Sequence, residues 1–491
     1  MGNASRKDVE VVEAAAEAPV AQTTTGASGR GWRPRRPRRL AAVLALVVTL
    51  GVAGAVVGQL VVDARERARL DAVARLPGAV PLLDGPPEAL WTLPDGVTTA
   101  DLVGTTAGGA VVVTEPGPRG PAVAARAATT GEVRWRVPLL DATSAPPAGT
   151  VLDLPPGRCD VGDVVVCLVV ETVSTLGADE GDAPVPVSAR SRLVVLDADD
   201  GTVLAERTTS GTDPVPAASE LVGDLVVTIT PVDGALRVDA VTTDGAAAWD
   251  ASLPSSTAGA RTFLARLDDH VLAGAGDQLT VLDHAGAAVR TLPFPESALA
   301  LQHGDDAVLL RDYTRPDVNA PTTVVRADGE QTVDGEVVEL ALDDGSVPGL
   351  LLTSPDGTRL TALDAAGDEL WSRDSGAASG LAVLAGRVYS GTGGGMVALD
   401  ARTGADVWRS DQVREGPVVT DGAHLVAMGL RPLADGRREV LVLDRADGAV
   451  AWRARLPEGV QDVTAAGGVL VATTGDGPAD GPATVLGSGS R

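Results

Sequence analysis

Residues 396–408, MVALDARTGADVW, decide the fold. Met396 to Asp400 read as a short strand, Ala401 to Gly404 turn the chain, and Ala405 to Trp408 start the strand that returns. Asp400, at the strand end, can accept hydrogen bonds from the turn amides, and Gly404 supplies the positive φ that the turn needs. The same offset of four between glycine and tryptophan recurs at Gly131/Trp135, Gly245/Trp249, Gly367/Trp371 and Gly448/Trp452. Self-similarity with a period of roughly 40 residues belongs to a propeller or a solenoid. Aromatic residues make up only 2% of the chain, yet seven are tryptophan, so an indole kept at one offset serves packing geometry.

Ala398 to Trp408 reads A-x-D-x-x-x-G-x-x-x-W and resembles the tryptophan-docking motif of pyrroloquinoline-quinone-like (quinoprotein) β-propeller repeats. Val442 to Trp452 matches with Val in first place, and Ala362 to Trp371 matches with a turn one residue shorter. The runs ending at Trp135 and Trp249 keep Gly and Trp without the Asp. Gly201/Ala205, Gly286/Arg290 and, weakly, Gly329/Val333 keep the turn and lose the Trp. The resemblance covers residues 88–487 and implies an all-β propeller of four-stranded blades, each indole lying in the seam between neighbours. Trp91 sits on a strand with nothing before it, while the C-terminus supplies strands near Val469 and Ala483 with no Trp strand after them. That asymmetry predicts a wheel whose first strand completes its last blade, which removes exposed sheet edges. Counted literally, the hairpins and the composite blade make nine. Family precedent favours eight, so eight blades is the expectation, with nine left open.

Ahead of the repeats, Leu40 to Val62 is an apolar run with Thr49 and Gln59 as its only polar side chains. Helical residues in that number span a hydrocarbon core of about 30 Å. Arg33, Arg35, Arg36, Arg38 and Arg39 precede it, which predicts a cytoplasmic N-terminus and an extracytoplasmic propeller. A cleaved signal peptide, with Ala53-Gly54-Ala55 as its cut, is the competing reading. The long preceding region and the continuation of the apolar run weigh against it. The expected organisation is a disordered Arg-rich tail (1–39), one transmembrane helix (40–62), a helical stalk and linker (63–87), the propeller (88–487) and a flexible end (488–491).

Net charge is −26, and because residues 1–39 are basic the remainder is more acidic still. Such a surface repels nucleic acid and anionic headgroups. Cys159 and Cys167 are the only cysteines and flank a hairpin that turns near Gly162-Asp163. With a three-residue loop or a bulge the thiols face each other, and a disulfide there suits an oxidising compartment; two free buried thiols is the alternative.

Little in the chain points to catalysis. His270, His284, His303 and His424 read as lying in different units without metal-ligand spacing. Asp197 to Gly201 lacks the ligand order of a calcium loop and reads as a hairpin turn. Gly391 to Gly395 lies between strands, so it cradles no phosphate. The resemblance implies, for dehydrogenase members, a quinone between a Trp floor and a disulfide of adjacent cysteines, with Ca²⁺ held beside a catalytic Asp. Here the cysteines stand eight apart, so no cofactor and no metal are expected. The tight turns sort to one face of the disc and the long connections to the other: 140–157, 171–191, 312–322 and 431–438. A loop-rich face on a rigid scaffold is where recognition concentrates. The expected function is a membrane-tethered, non-enzymatic scaffold that binds a protein on that face; an extracellular ligand-sensing module or a quinone-dependent dehydrogenase is the alternative.

Overall fold

The structure is a computed structural model that describes residues 64–488 except 77, 119, 141–149, 154–157, 176–184, 212, 256–261, 296–297, 305, 313–319, 375–378, 393, 415 and 476–481. Among the described residues the strands group into nine sheets, antiparallel except for one added strand, taken here as blades 1 to 9. Blade 1 begins at Leu102–Thr105, and blade 9 holds Asp462–Ala466, Val469–Thr473 and Ala483–Ser488. The fourth strand of blade 9 is the first of the chain: Pro87–Thr92 pairs with Ala483–Ser488, Glu88 opposite Gly487 and Thr92 opposite Thr484.

The expectation of eight blades is therefore corrected to nine. The doubtful hairpin at Gly329 is the outer half of a full blade 5, built from Ala298–His303, Ala307–Asp312, Thr322–Arg326 and Glu330–Val333. The expected transmembrane helix has no counterpart among the described residues, where no helix is long and apolar enough to cross a membrane. The tail 1–39 and the run 40–62 lie outside the described residues.

Each inner strand is buried on both faces, which is why it reads as an unbroken apolar run rather than an alternating one. In Ala110–Gly117 of blade 1, Val111 and Val113 pack toward Val469, Val471 and Val485 of blade 9. Ala110 and Val112 turn the other way, toward Val165 and Cys167 of blade 2. Successive side chains on a strand point to opposite faces, so one short run of valines glues two seams.

Two features escape the four-stranded pattern. Leu340–Asp343, inserted between the first two strands of blade 6, pairs in parallel with Ser379–Leu384 and adds a fifth strand to blade 7. Ala385 N–H donates to Asp344 Oδ2 at 2.8 Å and Gly386 N–H to Ser346 Oγ at 2.8 Å, fixing the insert. The second feature is the stretch read as a stalk. A helix at 64–73 ends with Val73 only 1% exposed. Arg69 Nη2 donates to the Gly422 carbonyl at 3.0 Å, and Val80 N–H donates to the Thr420 carbonyl at 2.9 Å. Leu83 N–H donates to Asp421 Oδ2 at 2.9 Å. Val73 and Ala79 join one core cluster, and Val80 and Leu83 join the next. Residues 69–83 are thus a strap on blade 8, leading straight into the strand that closes the wheel.

Candidate functional site

The turn at Asp400 shows how the repeat is made. Asp400 Oδ1 accepts from Arg402 N–H (3.1 Å), Thr403 N–H (2.9 Å) and Thr403 Oγ1 (2.8 Å). These bonds, that from the Thr403 side chain first, hold its carboxyl below the usual carboxylate range. Gly404 takes φ +67°. The register then slips by one residue, with Leu399 opposite Asp406 but Ala398 opposite Trp408. The bulge re-aims the indole across the seam.

The slip recurs at Trp91, Trp135, Ala205, Trp249, Arg290, Trp371 and Trp452. Five of these six indoles land on the turn glycine of the following blade: Trp91 on Gly131, Trp135 on Gly201, Trp249 on Gly286, Trp371 on Gly404 and Trp408 on Gly448. The indole N–H groups of these five donate to the carbonyls of Ala128, Ala198, His284, Ala401 and Arg445, at 2.8–3.2 Å. Trp452 has no such turn ahead of it, because blade 9 is completed by the first strand, and it packs instead against His424 with ring centroids 4.6 Å apart.

Three seams do without tryptophan. Ala205 faces Gly245, and Gln331 faces Gly367. The Gly329 hairpin has no bulge, so Gln331, two residues past the glycine, takes the place that Val333 was expected to fill. At Gly329 itself the preceding blade offers Arg290, whose Nη2 donates to the Arg326 carbonyl at 2.7 Å and the Gly329 carbonyl at 3.2 Å. The Arg326 carbonyl stands three residues before its glycine, as Ala401 does before Gly404. Arginine here makes the indole's hydrogen bond with a different donor.

On the opposite face, blade 2 is drawn out. Its strands Val164–Thr175 and Val185–Asp197 have 12 and 13 residues, against 4–8 for the second strands of the other blades. They pair as far as Thr175 opposite Val185, so most of the stretch 171–191, expected as a loop, is a projecting β-arm. Only 176–184 lies outside the described residues. The first strand of the blade is split in two, Thr150–Asp153 running beside the arm and Arg158–Val161 beside the blade proper. At the arm's base Glu171 is 2% exposed and takes Arg190 through both oxygens, at 2.7 and 2.8 Å. Nothing in the sequence marks that carboxylate as buried. Val187 on the arm is 56% exposed. Of the other long connections, 431–438 is a described turn, while 141–149, 154–157 and 313–319 lie outside the described residues.

Cys159 and Cys167 are opposite one another and joined by a disulfide. Three residues, Gly162 to Val164, separate the paired Val161 and Val165. Two of the histidines expected in different units, His270 and His284, belong to one blade, in or beside its strands His270–Ala275 and Gln278–Leu282. His270 Nδ1 meets Asp269 and His424 Nδ1 meets Asp421 Oδ2 at 2.9 Å. Asp197 Oδ1 accepts from Asp199 N–H and Asp200 N–H, as a hairpin turn requires. Among the described residues no group of three or more His, Cys, Asp or Glu side chains is placed to hold a metal ion. The disulfide ties two strands of one blade, with Cys167 fully buried, so it cannot lie flat against a quinone as a bridge of adjacent cysteines would. The described residues do not fit that cofactor.

Residues 356–431 and 393–485 match the family model described as outer membrane protein assembly factor BamB. The fold is that of a PQQ-like β-propeller. Among solved structures, this PQQ-like propeller is similar to BamB from Moraxella catarrhalis, at 19% identity over 82% of this chain and 97% of that one, with a TM-score of 0.35. It is similar to the quinohemoprotein alcohol dehydrogenase of Comamonas testosteroni at 13% identity over 84% and 79%, with a TM-score of 0.35. Apo AztD from Citrobacter koseri matches at 10% identity over 70% and 94%, also with a TM-score of 0.35. No curated protein sequence matches the chain. These likenesses concern the fold alone.

Proposed function

We propose that this protein is an extracytoplasmic, non-enzymatic scaffold that holds a protein partner on the face carrying the blade 2 arm. The apolar run 40–62 and its arginine-rich flank support a tether to the membrane with the propeller outside. The disulfide supports an oxidising compartment. The family model matched by blades 6 to 9 is named for an assembly factor, which agrees with a binding role. The blade-docking role of the Trp and Gly side chains belongs to the same reading: they make the disc rigid so that one face can present its connections.

The observation that carries the proposal is the asymmetry of the two faces. One is closed by tight turns, five of whose glycines are covered by indoles, and the other bears a two-stranded arm with an exposed valine at its side. A rigid scaffold with elaboration on one face is the usual arrangement of a recognition surface. A photo-crosslinking residue placed at Val187 in living cells should give a discrete heavier adduct. The same residue at Asp447, exposed on the turn face, should give none. Adducts at Asp447 alone would assign the partner to the wrong face and overturn the proposal.

A further inference from the structure

A cleft of about 90 Å³ opens in the seam between blades 6 and 7, and its lining is chemically mixed. Leu360 and Val397 give it an aliphatic wall; Ser390, Arg373, Arg409 and Asp374 supply the polar atoms. Ser390 is 1% exposed, and its hydroxyl makes no hydrogen bond within the protein. A buried hydroxyl without a partner is costly, so it is an unusual group to find at the wall of a cavity. Val397 is paired with Ser390 on one side and with Arg409 on the other. The three side chains therefore share one face of blade 7.

The two guanidinium groups are unequally committed. Arg373 Nη1 donates to the Gly404 carbonyl at 3.0 Å and to Asp406 Oδ1 at 2.6 Å. Arg409 Nη2 lies 3.5 Å from Asp406 Oδ2, beyond a good hydrogen bond. An arginine carries five N–H donors, so Arg409 is oriented by Asp406 with donors to spare. Asp374, at the mouth, has a side chain 92% exposed to solvent; water screens it from the cleft.

We infer that this seam cleft binds a carboxylate with a short aliphatic stem, the oxygens accepting from Arg409 and the Ser390 hydroxyl and the stem lying on Leu360 and Val397. Size selects the class. The cleft is far below the size of an ordinary site, so it takes a ligand of a few non-hydrogen atoms, such as propionate. Ordinary cofactor and drug sites run to about 300–1,000 Å³, which excludes a quinone or a nucleotide. The carboxylate can be that of a free short-chain acid or the C-terminus of a protein. Both present the same group.

The test is calorimetric titration of the full-length protein with propionate and with propionamide, its neutral counterpart. Propionate should bind saturably, with a dissociation constant on the order of 1 mM, and propionamide should not. Ser390→Ala and Arg409→Gln should each weaken propionate at least fivefold without lowering the melting temperature. A tripeptide ending in valine, as free acid and as amide, separates the sources. Tighter binding of the free-acid peptide than of propionate assigns the site to a protein terminus, and weaker binding assigns it to a small acid. Absence of saturable propionate binding, equal binding of propionamide, or full retention in either variant would overturn the inference.

Discussion

Gly404 of blade 7 lies directly beneath the indole of Trp371 from blade 6: a Cβ added at position 404 would come within 2.7 Å of Trp371 Cδ2. The glycine is doubly constrained, since its φ of +67° also disfavours any side chain. Gly404→Ala should cost about 2–3 kcal/mol, from the left-handed backbone plus the clash. Trp371→Ala, at a site 8% exposed, should cost about 3–5 kcal/mol. Because the two residues meet, the double variant should lose clearly less than the sum. Urea denaturation of the four proteins measures this, and additive losses would mean that the contact does not carry the seam.

Arg290 should behave as a substitute for tryptophan. Its two hydrogen bonds to main-chain carbonyls come from one nitrogen of a planar guanidinium whose stem lies in the seam. Arg290→Ala should destabilise by about 1.5–3 kcal/mol, the range for hydrogen bonds to a charged group. Lysine, lacking the planar fork, should recover less than half. Equal stability of the Ala and Lys variants and the parent, read from melting temperatures, would place Arg290 on the surface rather than in the dock.

The strap makes a local prediction. Asp421, 1% exposed, accepts from Leu83 N–H, Ala423 N–H and His424 N–H. Asp421→Ala would orphan these donors, at about 1–3 kcal/mol for each that stays buried. The loss should appear first as faster proteolysis within 67–83, because the strap is the one partner that can leave without unfolding a blade. Cleavage spread evenly along the chain would argue against a strap that opens on its own.

His303 gives the fold a pH dependence. Burial pushes the imidazole below its ordinary value of 6.5, with Asp306 and Glu339 opposing the shift and Arg326 adding to it. A base with a depressed folded pKa is less protonated in the folded chain than in the unfolded one. Stability is then full above about 6.5 and falls as pH drops below it. His303→Gln should flatten that decline in urea midpoints between pH 7 and pH 5. An unchanged slope would place the titrating group elsewhere.

The hairpin that decides the fold was legible because each of its residues does one local thing: Asp400 caps the turn, Gly404 takes the positive φ, and Trp408 crosses the seam. What the residues could not convey was non-local. The bulge before each tryptophan is visible only in cross-strand register. Without it, Gln331 looks like an ordinary strand residue, and the Gly329 hairpin looks too weak to stand for a blade of its own. In the sequence 171–191 reads as a long connection between two strands, although Val164 to Thr175 pairs throughout. Likewise the residues from 64 on have a helical pattern of Arg, Asp and Glu that suggests a free stalk. Only the contacts of Val73 and Leu83 turn it into a strap. The seam cleft rests on Ser390, which no motif marks.

The account depends most on closure of a nine-bladed wheel by the strand Pro87–Thr92. Thr92 and Thr484 face each other across the closing pair, their hydroxyls 3.4 Å apart. Replacing both by cysteine, with Cys159 and Cys167 kept, and oxidising the full-length protein should give a monomer in which mass spectrometry finds one additional bridge. That bridge should raise the melting temperature. A mixture of disulfide-linked dimers with no intramolecular bridge would show that the first strand does not close the last blade, and would contradict the account.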